Sequence, residues 1–160
     1  FPRAVRLGKF YTAMGDGKIS YIAKEDCAQA IASLLNSETL ENAIHHISGP
    51  ALVSVSEVCE ILSEISGKPI EVINLTPEEL TLKMESLGIQ PYWASVLGTL
   101  EAFVSFGYAG EYSDKAQQLI GKPLQTLREV LISKKDVLLK NASRPDLFEA
   151  DRDELYKQTA

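Results

Sequence analysis

The spacing of apolar residues in the first half of the chain changes between a strand pattern and a helix pattern. Lys18–Ala23 contains β-favouring isoleucine and tyrosine and predicts a short strand. In Glu25–Asn36 the apolar residues recur at every third or fourth position, which predicts an amphipathic helix. Ala43–Ile47 and Pro69–Leu75 are predicted to be two further strands, because both are short segments bounded by turn residues.

Two helix starts are marked by side chains that can cap backbone N–H groups. Ser54 is followed three residues later by Glu57, and Thr76 is followed in the same way by Glu79. In this spacing the hydroxyl and the carboxylate each accept a hydrogen bond from the backbone of the first turn. The helix that Ser54 opens is expected to end at Gly67, because glycine tolerates the left-handed conformation of a helix end.

The last part of the chain is predicted to be helical. Helices are expected over Tyr92–Phe106, Ser113–Ile120 and Leu127–Leu139, separated by segments that contain glycine and proline. Strands that alternate with helices indicate an α/β fold. About three short strands make a small sheet with an open edge, which leaves room for a homo-oligomer.

Size, composition and charge bound the domain and its partners. The chain has 160 residues, of which 45% are hydrophobic, and this suits one domain with a core. Residues 1–140 are predicted to form that domain, and residues 141–160 a polar tail. The net charge of −6 argues against a nucleic-acid partner, which would need a basic stripe. No membrane partner is predicted, because no apolar run approaches the roughly 20 residues that span a bilayer.

The cysteines and histidines indicate no metal or nucleophile chemistry. Cys27 and Cys59 each lie in the apolar stripe of a predicted helix, so they are expected to be buried thiols in a reducing, cytoplasmic setting. His45 and His46 would point to opposite faces of a strand and could not share one metal ion. No metal site and no catalytic triad are therefore predicted.

Asp26 follows the first predicted strand at the start of a helix. We expect its carboxylate to cap that helix, a contribution of about 1 kcal/mol. Contact with a ligand is the alternative, because ligands of such sheets bind beyond the carboxyl ends of the strands.

A series of segments resembles the later part of the NmrA-like atypical short-chain dehydrogenases. Gly15–Ala28 has the family's glycine turn, strand, acidic residue and alanine-rich helix, and Ile47–Glu57 has its Gly-Pro turn and capped helix. Ile61–Ile70, Thr76–Glu79 and Gly121–Glu129 continue the match in the family's order. The resemblance covers roughly residues 1–132.

This resemblance implies the C-terminal part of a Rossmann-like NAD(P)-binding fold with a mostly helical, substrate-side subdomain. It also implies a full-length parent that binds NADP(H) and reduces quinones or related carbonyl compounds. Some members of the family bind the dinucleotide without evident catalysis and act as redox sensors. A non-catalytic regulatory or interaction module is therefore the alternative function.

The glycine-rich turn that would hold the dinucleotide is not found in the sequence. Gly15 and Gly17, like Gly107 and Gly110, lack the G-x-G-x-x-G spacing, and neither pair follows a strand and opens a helix. We therefore expect the N-terminal glycine-rich βαβ unit to be lacking, so that the chain alone binds no cofactor and is inactive. No catalytic residue is assigned.

Aromatic residues are the candidates for a substrate pocket, because a flat quinone can stack on their rings. Trp93 and Phe106 are predicted to line the pocket, and Phe10 and Tyr11 to approach the same cleft from the other side. Phe103 is expected to belong to the core instead.

Overall fold

The computed structural model describes residues 1–37 and 42–144, and it contains eight helices and four strands in these ranges. The helices are α1 (Pro2–Leu7), α2 (Lys24–Leu35), α3 (Val55–Ser66), α4 (Pro77–Ser86), α5 (Pro91–Ser105), α6 (Lys115–Ile120), α7 (Leu127–Ser133) and α8 (Lys135–Ala142). The strands are β1 (Lys9–Thr12), β2 (Lys18–Ser20), β3 (Leu52–Ser54) and β4 (Glu71–Asn74). Most of the predicted tail, residues 141–160, lies outside the described residues, and its boundary stays a prediction.

The strands pair as two separate two-stranded sheets. β1 runs parallel to β4, with Lys9 opposite Glu71 and Thr12 opposite Asn74, and β2 runs antiparallel to β3. A parallel pair needs a long crossover connection, which is supplied here by the segment from β2 to α3. The predicted α/β arrangement is therefore confirmed. The strands form two sheets of two strands each, where the pattern had indicated one sheet of about three strands.

The strand predicted over Ala43–Ile47 is wrong, since these residues have no regular secondary structure. Ile44 is 89% exposed, and in this segment Ile47 packs against the cluster of Ala30, Ala116 and Leu124. His46 instead lies with its Nδ1 atom 3.3 Å from a carboxylate oxygen of Glu111. The argument that His45 and His46 face opposite ways assumed a strand and does not apply.

The main core is built around α3. Its buried side chains include Val58, Cys59 and Leu62, of which Leu62 is 0% exposed, and they pack with residues of α1, α7 and α8. The prediction of a buried thiol is confirmed for Cys59, whose pKa is raised by burial, whereas Cys27 is half-buried. None of the helices described is long and apolar enough to cross a membrane.

The two predicted capping boxes and the predicted helix end at Gly67 are confirmed. The Ser54 hydroxyl accepts from the Glu57 N–H, and the Glu57 carboxylate accepts from the Ser54 N–H at 2.7 Å. Thr76 and Glu79 make the same two bonds, and Gly67 has a φ of 70°. The helix predicted over Leu127–Leu139 is instead two helices, α7 and α8, that meet at residue 134.

Asp26 does not cap α2, because Ala23 holds the cap position and Asp26 is the third helical residue. Its side chain is 1% exposed, and its Oδ2 atom accepts a hydrogen bond from the backbone N–H of Gln125 at 2.7 Å. The carboxylate therefore ties α2 to the segment that precedes α7. The capping prediction was wrong, because the partner of Asp26 lies 99 residues away and the local sequence gives no sign of it.

The packing of α3 can be tested by replacing Leu62 with alanine. Leu62→Ala removes a fully buried side chain, and we expect it to lower the free energy of unfolding by about 2–5 kcal/mol. Leu82→Ala, at a helical position that is 66% exposed, is the matched control and should change it by less than about 0.5 kcal/mol. Urea denaturation measures both, and equal effects would contradict the described core.

Candidate functional site

A groove of about 320 Å³ lies between α1, β1 and the α4–α5 pair. Its volume is at the lower end of the range for ligand pockets, about 300–1,000 Å³. The lining is mostly apolar and aromatic and includes two cationic side chains and one carboxylate, and among its residues are Phe10, Tyr11, Leu97, Arg3, Lys9 and Glu101. This combination of flat apolar walls and few polar groups suits a small planar ligand.

Strand β1 brings two of the predicted substrate residues to the groove. Phe10 lines it and also packs against the main core. Tyr11 lines it as well, and the Nζ atom of Lys83 lies over its ring, 4.8 Å from the ring centroid. A cation over a tyrosine ring stabilises the ring's position by about 0.5–1 kcal/mol at an exposed site.

Glu101 reaches from α5 to the carboxyl end of β1. Its Oε2 atom accepts hydrogen bonds from the Thr12 hydroxyl at 2.8 Å and from the Ala13 N–H at 2.7 Å. The Thr12 hydroxyl, which is fully buried, also accepts from the Met14 N–H at 3.1 Å. Burial raises the pKa of Glu101, although the bonds from Ala13 and Thr12 act in the opposite direction.

Glu101 was not predicted to be a site residue, although its position in an apolar helix indicates a buried partner. Glu101 is the single charged residue within the 15 residues of α5, and an isolated carboxylate in an apolar helix must find partners or solvent. The helix also packs closely on the turn after β1, because a Cβ atom on Gly17 would collide with the carbonyl oxygen of Val104. Burial and the negative charge of Glu101 raise the pKa of the nearby Tyr21.

The structure does not bring the other two predicted substrate residues to this groove. Trp93 is 53% exposed and packs edge-on against Tyr92, with 5.1 Å between ring centroids. Phe106 is 76% exposed, and neither residue lines the groove. Phe103, predicted to lie in the core, is 51% exposed and that prediction is wrong. The roles of Trp93 and Phe106 in substrate binding stay predictions.

The face that α5 buries is set by its small residues. Ala94 and Gly98 are buried, and a Cβ atom on Gly98 would lie 2.7 Å from the carbonyl oxygen of Pro77 in α4. This close approach turns the opposite, aromatic face of α5 outward. The helix is apolar on most sides, so its sequence pattern could not indicate which face would be covered.

The starts of α2, α3 and α4 do not fit the pyrophosphate of a dinucleotide. A pyrophosphate needs free backbone N–H groups at a helix N-terminus and no nearby negative charge. At α3 and α4, which both follow strands, Glu57 and Glu79 complete capping boxes. The first turn of α2 carries Glu25 and Asp26. We therefore assign no cofactor contact to these residues.

Comparison with known proteins identifies relatives of the chain. It is 28% identical to the NAD(P)H azoreductase of Xenophilus azovorans over 130 residues, which are 81% of this chain and 46% of that protein. It is also 28% identical to quinone oxidoreductase 2 of Escherichia coli over 128 residues, which are 80% of this chain and 45% of that protein. No family model matches the chain.

Solved structures of reductases also match the chain. The NADPH-dependent quinone oxidoreductase of Escherichia coli matches with a TM-score of 0.78 and 27% identity, over 82% of this chain and 48% of that one. The chain is similar to NAD(P)H-dependent reductases over less than half of their length. The triphenylmethane reductase of Citrobacter sp., solved with NADP(H), matches this chain with a TM-score of 0.74 and 27% identity, over 87% of it and 46% of that protein.

Two predictions are confirmed by these matches: the resemblance to the NmrA-like reductases and the Rossmann-like fold class. The chain spans less than half the length of the curated relatives it matches.

The raised pKa of Glu101 predicts a pH-dependent stability. The folded chain holds the Glu101 proton to a higher pH than the unfolded chain does, where the value is near 4.5. The free energy of unfolding therefore falls as pH rises from the unfolded value through the raised one. Glu101→Gln removes this titration, so the variant should gain stability relative to the wild type as pH rises through that window, measured by urea denaturation.

Glu64→Gln is the matched control, because the pKa of Glu64 is shifted in the opposite direction to that of Glu101. The hydrogen bond from Arg128 lowers the pKa of Glu64, so its contribution is present above the unfolded pKa and is lost as pH falls through the lowered one. E64Q should therefore be less stable than the wild type at neutral pH and match it in acid. Parallel pH curves for E101Q and the wild type would contradict the burial of Glu101.

Proposed function

We propose that the chain is the substrate-binding portion of an NAD(P)H-dependent oxidoreductase that acts on quinones or related carbonyl compounds. The groove beside β1 is its substrate site, and the chain has no reductase activity alone. The observation that carries this proposal is the aromatic and apolar groove lined by Glu101, whose carboxyl group is bound at the carboxyl end of the parallel strand β1.

The relatives support the reaction class. They include an NAD(P)H azoreductase and a quinone oxidoreductase, and two solved neighbours contain NADPH or NADP(H). Reduction of a quinone needs a flat pocket and a reduced nicotinamide, and the described residues offer the first of these. The nicotinamide would be supplied by a longer parent protein that carries a dinucleotide site.

A regulatory or interaction module is the second candidate. The observation that favours it is the pair of glutamate capping boxes at α3 and α4, where a strand leads into a helix. A chain of this kind would take part in no hydride transfer even within a longer protein. Assay of that longer protein with NADPH and a quinone distinguishes the two, because only the first candidate oxidises NADPH.

The groove is expected to bind a quinone through the rings and side chains that line it. Tyr11→Ala and Leu97→Ala should each weaken the binding of 2-methyl-1,4-naphthoquinone to the 160-residue chain by roughly tenfold, because each removes apolar contact area. Isothermal titration measures the dissociation constants. Trp93→Ala and Phe106→Ala are the matched comparison and should leave them unchanged. The reverse pattern would move the substrate site to the outer face of α5.

The chain alone is expected not to bind NADPH at micromolar concentration, because α3 and α4, which follow strands, and α2 carry carboxylates in their first turns, where a pyrophosphate would lie. Nicotinamide fluorescence during titration of the chain measures this. The Escherichia coli quinone oxidoreductase, solved in complex with NADPH, is the positive control. Saturable micromolar binding by the 160-residue chain would show that a dinucleotide site exists within it.

A further inference from the structure

We propose that Glu101 contacts the substrate directly, by donating a hydrogen bond from its carboxylic acid to a carbonyl oxygen of a quinone in the groove. This inference rests on the proposed function and adds a specificity-determining residue to it. Glu101 would then do more than tie α5 to β1.

The two oxygens of Glu101 have different surroundings. Oε2 accepts from both the Thr12 hydroxyl and the Ala13 N–H, so a proton on the carboxyl group belongs on Oε1. Within residues 1–37 and 42–144, Oε1 makes no hydrogen bond, and no fully buried side-chain oxygen there lacks a partner. Oε1 is therefore open to solvent, and the groove that Glu101 lines is where it can meet a ligand.

Quinone chemistry fits the acid form of this group. The carbonyl oxygens of a quinone accept hydrogen bonds and donate none, and a protonated carboxyl group has one O–H to donate. A carboxylate in the same place would repel the carbonyl oxygen. The walls around it are mostly apolar, which strengthens a hydrogen bond and disfavours a charge.

Charged groups of several elements surround the groove and Glu101. Arg3 of α1 and Lys9 of β1 line the groove with it, Lys83 of α4 lies over Tyr11, and Tyr21 follows β2. Nearby cations favour the carboxylate, whereas burial favours the acid. Burial is the larger influence, and it raises the pKa of Glu101.

The test is the pH dependence of quinone binding. The dissociation constant of the wild-type chain for 2-methyl-1,4-naphthoquinone is measured by isothermal titration from acidic to neutral pH. It should increase by about tenfold as Glu101 loses its proton, since a hydrogen bond is replaced by repulsion. Binding of 2-methylnaphthalene, which has the same rings without carbonyl groups, should not change with pH, and this comparison needs no variant.

Glu101→Gln separates binding from structure. The glutamine carbonyl still accepts from Thr12 and Ala13, and its N–H₂ group faces the groove as a donor that does not titrate. E101Q should therefore bind the naphthoquinone at every pH as the wild type does in acid. Glu64→Gln, on the exposed surface, is the control and should keep the wild-type profile.

Three results would overturn the inference while leaving the proposed function intact. The first is naphthoquinone affinity that does not change with pH in the wild type. The second is a profile that E101Q shares with the wild type. Affinity that rises with pH would also overturn it, because the carboxylate would then be the binding form. If the wild-type chain binds no quinone at any pH, the proposed function itself fails.

Discussion

The parallel pairing of β1 with β4 is the constraint on which the rest of the structure depends. The Gly8 carbonyl accepts from the Glu71 N–H at 3.0 Å, and the Thr12 carbonyl from the Leu75 N–H at 2.8 Å. Because a parallel pair cannot be closed by a tight turn, the intervening chain has to cross over. The crossover places α3 in the core. The pairing of β4 with β1 brings α4 and α5, which follow β4, to the side of β1, where the groove forms.

A single carboxylate, that of Glu101, lines this groove. Glu101 lies in a helix with no other charged residue, and it is stabilised there by two donors at the end of β1. Unpaired burial of a carboxylate would cost several kcal/mol, so these bonds are needed for the helix to lie where it does. They occupy one oxygen and leave the other to the groove, which joins the structural role to the proposed binding role.

The starts of α3 and α4 differ from the helix starts that bind dinucleotides in Rossmann-like folds. A strand that leads into a helix is the geometry on which dinucleotide sites are built, and β4 leads directly into α4. Here the same backbone N–H groups are satisfied by hydroxyl and carboxylate side chains of the chain itself. The starts of α3 and α4 thus keep the strand-to-helix geometry of a Rossmann-like fold, while their N–H groups are occupied by the chain's own side chains.

The sequence by itself determined the features whose causes are local. The capping boxes of Ser54 and Thr76, the glycine helix end and the amphipathic stripe of α3 depend on neighbours within a few residues, and all were predicted. Only the tertiary structure decided the strands β1 and β3, the outward face of α5 and the partners of Asp26 and Glu101. Each of these depends on a contact between residues far apart in sequence, 99 positions for Asp26 and 89 for Glu101, and a local pattern carries no information about such a contact.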